Sequence, residues 1–167
     1  NSISGEVEIA LLEKGQLVEL HRDQGSSGYA VGDIFLGRVR KVLPSLNAAF
    51  VDVGHERDAF LHYLDLGPHY RTQQQYVKRV MQGKEPVANL GNFKKEAEID
   101  KRGKIKDEVS SSQLVLVQVA KEPISSKGPR LTAEVTLPGR YLVLVPFSDR
   151  VSLSGRIKGD TERTRLK

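Results

Sequence analysis

A chain of 167 residues with 38% hydrophobic residues and no Trp is long enough for one good core, or for a small barrel plus part of a neighbouring domain. The absence of Cys excludes disulfides and thiolate metal sites, and no apolar run approaches the roughly 18 residues that suggest a membrane span. The net charge of +5 is unevenly placed: residues 68–107 hold 10 basic and 5 acidic groups and residues 150–167 hold 6 and 2, whereas residues 1–35 carry 2 basic and 6 acidic groups. Concentrated positive charge of this kind suits phosphate binding by counterion release, and equally suits a solvated Lys/Arg-rich loop.

The first residues, Asn1 to Gly5, show neither a starting Met nor a signal peptide and read as a cut end. Val7, Ile9 and Leu11 then alternate with polar or small residues, Lys14-Gly15 makes a two-residue turn, and Leu17, Val18 and Leu20 return, which predicts a hairpin. A glycine-rich loop is expected at 24–28. Three short strand-like runs follow, Asp33–Val42, Asn47–Val53 and Asp58–Tyr63, punctuated by Pro44-Ser45 and Gly54-His55-Glu56. Short strands with turns about every ten residues predict a small barrel or sandwich. From Gly67 to Val109 a helix over Tyr70–Met81 is expected inside a partly mobile insertion, broken by Gly83, Pro86, Gly91 and the polar run Lys94–Asp107. Strand character returns at Leu114–Val119, at Leu131–Leu137 and, after a Pro138-Gly139 turn, at Tyr141–Val145. Asp160 reads as a helix N-cap with Glu162 in the first turn, and a helix stopped one turn later at Lys167 reads as truncated.

Two phenylalanines carry the clearest chemistry. Phe50 and Phe60 fall on successive strands joined by a short glycine turn, so they can sit side by side on one face, where exposed rings offer stacking platforms to unpaired bases. The alternative is that both are core residues, as most Phe in small barrels are. Arg38 and Arg40 alternate on a neighbouring strand and are placed to track phosphates.

The run Gly37-Arg38-Val39, Ala48-Ala49-Phe50-Val51-Asp52-Val53-Gly54 and Ala59-Phe60-Leu61-His62 resembles the core of S1 RNA-binding domains, which are five-stranded OB barrels. Pro44-Ser45-Leu46-Asn47 ahead of it, and Ser126-Lys127-Gly128, Leu137-Pro138-Gly139-Arg140-Tyr141-Leu142-Val143 and Ser154-Gly155-Arg156-Ile157 later, are similar to the ribonuclease E/G family, with a lean to the G type. The resemblance covers nearly the whole chain outside 68–107.

It implies a mainly β fold in which an S1-type barrel, residues 33–135 with a basic insertion at 68–107, is inserted into a partial, truncated RNase H-like domain formed by residues 1–32 and 136–167. It implies Phe50 and Phe60 as base-contacting rings, Lys127 as a cation to the RNA backbone, and Gly139 and Val143 as part of a pocket sensing a 5′-monophosphorylated end. The family's main phosphate-gripping residues would lie outside this chain. Ala59 departs from the Gly usual before the second Phe, and Gly155 from a usual Arg, which puts that contact in doubt. The parent protein would be an Mg²⁺-dependent endoribonuclease of rRNA and mRNA processing and decay. It would be cytoplasmic and homo-oligomeric, with a Cys-linked structural Zn²⁺; the chain itself would be monomeric or dimeric.

No cofactor, metal site or catalytic residue is assigned to this chain. Its acids are scattered, whereas metal-assisted phosphodiester cleavage needs clustered carboxylates; Asp52 and Glu56 flanking Gly54 read as a solvated turn. His55 and His62 fall near the aromatic face without a carboxylate partner pattern, and His21 and His69 read as loop residues. The expected partner is single-stranded RNA, with no membrane. The alternative is a stand-alone S1 module of a translation- or ribosome-associated protein, and a third reading is a barrel used for protein contacts. A steep loss of RNA affinity with salt separates the last from the other two.

Overall fold

The computed structural model describes residues 2–3, 6–23, 29–83, 93–124 and 126–167. The expected loop at 24–28, the breaks at Pro86 and Gly91, and Asn1, Ser4 and Gly5 lie outside the described residues.

Strands β1 (Ser2–Ile3), β2 (Glu6–Glu13) and β3 (Gln16–Asp23) form a three-stranded antiparallel sheet in that order. The predicted Lys14-Gly15 turn is present, and both residues take positive φ (50° and 79°), the conformation whose twist matches a two-residue hairpin. His21 stands on β3, paired with Ile9, not in the loop expected for it.

The next five barrel strands are β4 (Ile34–Leu43), β5 (Ala48–Asp52), β6 (Ala59–His62), β7 (Leu114–Lys121) and β8 (Arg130–Thr132). They close in the order β4-β5-β6-β8-β7, all pairs antiparallel except β6 with β8. This is a closed five-stranded mixed barrel, consistent with the S1-type OB barrel. The alternation in the sequence decides which side faces in. Ala49, Val51, Ala59, Leu61, Val115, Val117, Val119 and Leu131 are each 1% exposed or less and fill the interior. Each fully buried Leu or Val contributes about 1.5–3 kcal/mol.

Helix α1 (Tyr70–Met81) lies where the sequence predicted it and packs on β7. Among its described residues, however, the 68–107 segment joins the barrel core through Tyr70 and Ile105. Tyr70, Phe93, Ile105 and Val109 are buried, and a single helical turn, α2 (Ile105–Glu108), closes it.

Two further expectations are corrected. The strand expected over Leu131–Leu137 is broken, β8 ending at Thr132 and β9 (Leu137–Pro138) pairing instead with β10 (Val143–Leu144). The break is enforced by Gln118, 5% exposed on β7: its Nε2 donates to the carbonyls of Gly32 and Thr136 and its Oε1 accepts from the Thr136 N–H, all at 2.9 Å. Second, α3 (Asp160–Arg165) has Gly159 at its N-cap, and Asp160 is the first helical residue. An acid in the first turn still suits the helix dipole.

Asn47, between β4 and β5, holds φ 47° while its Oδ1 accepts from the Ile105 N–H (2.6 Å) and its Nδ2 donates to the Gly103 carbonyl (3.1 Å). Asn47→Ala removes both bonds and leaves a β-carbon in left-handed backbone. The expected destabilisation is about 2 kcal/mol, read from the shift in urea midpoint at unchanged slope.

Candidate nucleic-acid interface

On β5 and β6 the residues between the buried positions point outward. Phe50 and Phe60 are directly opposed across the two strands, half-buried, with ring centroids 6.1 Å apart at 68°. Neither ring is in the barrel interior. His62 extends the surface, its ring 6.5 Å from Phe60 and tilted by 27°. The Nδ1 of His62 accepts from the Leu64 N–H (3.2 Å), so in a neutral ring the proton sits on Nε2. His55 is bound into the β5–β6 turn, its ring edge-on to Tyr29 at 4.8 Å.

Cations rim these rings. Arg38 is exposed on β4 and donates to the Ser112 carbonyl at 3.1 Å. Arg40 pairs with Asp52 at 2.6 Å. Asp52 also accepts from the Gly54 N–H (2.9 Å); that bond first, and the Arg40 guanidinium after it, hold its carboxyl below the ordinary 3.8. The stabilisation this gives is present above the ordinary value and is lost as pH falls through the lowered one.

Lys127, exposed, belongs to a tight turn in which the backbones of Ile124 and Lys127 bond each other both ways (3.2 and 3.0 Å). That turn rests on the β5–β6 connection. A β-carbon at Gly128 would stand 2.3 Å from the Asp58 carbonyl oxygen and 2.8 Å from that of Arg57. Pro129 then accepts from the Phe60 N–H at 2.9 Å. The chain contacts thus bring the Lys127 loop to the strand that carries Phe60. Gly139 and Val143 lie elsewhere, on the exposed β9–β10 hairpin, where the Gly139 N–H donates to the Leu142 carbonyl (2.8 Å).

Two cations escaped the sequence reasoning. Register shifts between Val39 and Lys41, so Arg40 is the extra residue of a bulge and both Arg40 and Lys41 turn to solvent, with Lys41 opposite Phe50. Arg130 registers beside Phe60 through the parallel β6–β8 pairing and is bonded to Asp65 through Nε and Nη2 (3.1 and 2.9 Å). Three basic residues within four positions, at 38, 40 and 41, were the available signal for Lys41; nothing local marks Arg130.

Among the described residues no group of three or more His, Asp or Glu is placed to hold a metal ion. The described residues therefore offer no fit to the Mg²⁺ or Zn²⁺ that the resemblance implies for a longer protein. Among the described residues no helix is long and apolar enough to cross a membrane.

No protein-family model matches the chain. Curated relatives do. The chain is 38% identical over 167 residues, its whole length, to "Ribonuclease G" of Haemophilus influenzae, and 38% identical over 172 aligned residues to "Ribonuclease G" of Escherichia coli K12. It is 40% identical over 159 residues, 95% of its length, to "Ribonuclease E" of Nostoc sp. PCC 7120. It spans 30% of the length of those two ribonucleases G and 19% of that ribonuclease E.

Proposed function

From the premise that this chain is a homologue of the ribonuclease E/G family along its whole length, we propose that it is the region of such an endoribonuclease that grips single-stranded RNA and guides it toward a nuclease centre located in other parts of the protein. The observation that carries this is the outward pair Phe50 and Phe60 on the central strands of a closed five-stranded barrel, the face on which OB folds bind oligonucleotides.

Bases lie against the two rings, with His62 extending the stack. Lys127, Arg38 and Arg40, joined by Lys41 and Arg130, follow the backbone. Gly139 and Val143 contribute to recognition of a 5′-monophosphorylated end, completed by residues outside this chain. Reaction on rRNA and mRNA, bound Mg²⁺ and Zn²⁺, self-association and a cytoplasmic setting belong to the whole protein under this reading.

The barrel's insertion into a second fold is part of the proposal. Its entry at Gly32 and exit at Thr136 are fastened side by side by Gln118, which supports two flanking segments, 1–32 and 136–167, meeting outside the barrel. The exposed Leu12, Leu17 and Leu20 of the hairpin support further chain packing there.

The test is a salt titration of single-stranded RNA binding. Affinity should fall steeply and linearly in log–log form, and Lys127→Gln should reduce the slope by about 1. Binding insensitive to both salt and Lys127 would point to a different surface. In the same assay Asp52→Asn frees Arg40 from an exposed pair of roughly 0.2–1 kcal/mol, so RNA should bind up to about fivefold tighter at low salt, with the gain erased at high salt. Unchanged affinity at low salt would take Arg40 off the RNA path.

A further inference from the structure

Three consecutive glutamines on α1 each leave one carboxamide atom buried without a partner: Gln73 Oε1, Gln74 Nε2 and Gln75 Oε1. Gln74, 6% exposed, is the most informative. Its Oε1 accepts from Gln113 Nε2 (3.0 Å), and the Gln113 oxygen accepts from the Ser110 N–H (2.9 Å), which fixes the orientation of both amides. Two N–H donors of Gln74 are therefore left over. The leftover acceptor of Gln75 stands next in sequence, its own nitrogen being held by Glu96 (2.9 Å). Burying such groups unpaired costs about 1–3 kcal/mol apiece.

The side chains of both residues line a groove of about 330 Å³ between α1 and the loop that precedes β7, the unpartnered atoms themselves being covered. Arg71, Gln74, Gln75 and Lys78 are spaced i, i+3, i+4, i+7 and so form one stripe along that groove. Arg71 is neutralised by a two-pronged bond to Glu108 (2.9 and 2.5 Å), whereas Lys78 is exposed and has no ion-pair partner among the described residues. Turned toward the groove, an unpartnered donor and an unpartnered acceptor on successive residues match the hydrogen-bonding edge of an unpaired base, and a lone cation one turn away matches a phosphate.

The groove also continues the aromatic surface. Phe60, Phe50 and Lys41 are in register across β6, β5 and β4, while Arg38 registers with Leu114 on β7 and bonds the Ser112 carbonyl of the loop walling the groove. We infer that this groove is a further nucleotide subsite: a strand crossing the barrel from Phe60 passes Arg38 and seats one unpaired nucleotide on α1, base edge on Gln74 and Gln75, phosphate on Lys78. This rests on the RNA-binding role proposed above and extends it to a surface outside the barrel strands.

The test uses single-stranded RNA with one 4-thiouridine placed in turn at each position, irradiated with the full chain, and the cross-linked residues mapped. Some positions should attach to β5–β6 and others, further along the strand, to α1. Gln74→Met should abolish the α1 cross-link and spare the β5–β6 one. Lys78→Gln, at an exposed position that cannot unfold the chain, should weaken the α1 cross-link at least roughly threefold and lower the salt slope by about 1. Cross-links confined to β5–β6, or α1 cross-links indifferent to both substitutions, overturn the subsite while leaving the barrel's role intact. Absence of any binding to folded protein overturns the barrel's role itself.

Discussion

Phe50→Ala and Phe60→Ala are each expected to weaken binding of single-stranded RNA about ten- to hundredfold while leaving the barrel folded. Stacking of a base on an aromatic ring contributes roughly 1–3 kcal/mol by alanine substitution. The cost to stability is smaller, because both side chains lie outside the interior, where the neighbouring Ala49, Val51, Ala59 and Leu61 carry the packing. What the fold loses is mainly the edge-on contact between the rings, worth about 0.5–1.5 kcal/mol. Isothermal titration and thermal melts on the same samples read the two quantities. A large fall in melting temperature with unchanged affinity would reverse the assignment and make the rings structural. The double variant should lose less than the sum of the singles if one base bridges both rings, since residues in contact are not additive.

Gly128→Ala is expected to have the largest effect on the fold for the smallest change in composition. The added methyl would meet the Asp58 and Arg57 carbonyl oxygens at 2.3 and 2.8 Å, both backbone atoms, so no side-chain rotation relieves the overlap. Either the Lys127 turn lifts from the β5–β6 connection, or β6 shifts and breaks the bond from the Phe60 N–H to Pro129. Overpacking of this kind costs about 3 kcal/mol. Chemical denaturation measures that cost, and RNA affinity should fall with it because Lys127 and Phe60 are displaced together. A variant of wild-type stability would mean that the loop does not rest on the strands as described.

Much of this was legible in the sequence, for identifiable reasons. The barrel strands β4 to β7 could be read because they are short runs rich in β-branched, aromatic and other apolar residues, the first three of them set off by the turn signals Pro44-Ser45 and Gly54-His55-Glu56. The ends of α1 could be read, but its buried face could not, because Thr72, Gln73 and Gln74 are buried by hydrogen bonding, not by hydrophobicity. The strand expected over 131–137 failed because a side chain distant in sequence, Gln118, captures Thr136. Lys41 and Arg130 were missed for a related reason: a bulge and a parallel pairing between strands far apart in the chain are decided by closure of the barrel.

The most direct test follows the aromatic ring protons by NMR as single-stranded RNA is added to the chain at low salt. The signals of Phe50 and Phe60 should move together, with upfield shifts of the base protons that stack on them, while those of the buried Phe93 stay in place. Saturable RNA binding that leaves both Phe50 and Phe60 unmoved would contradict the account.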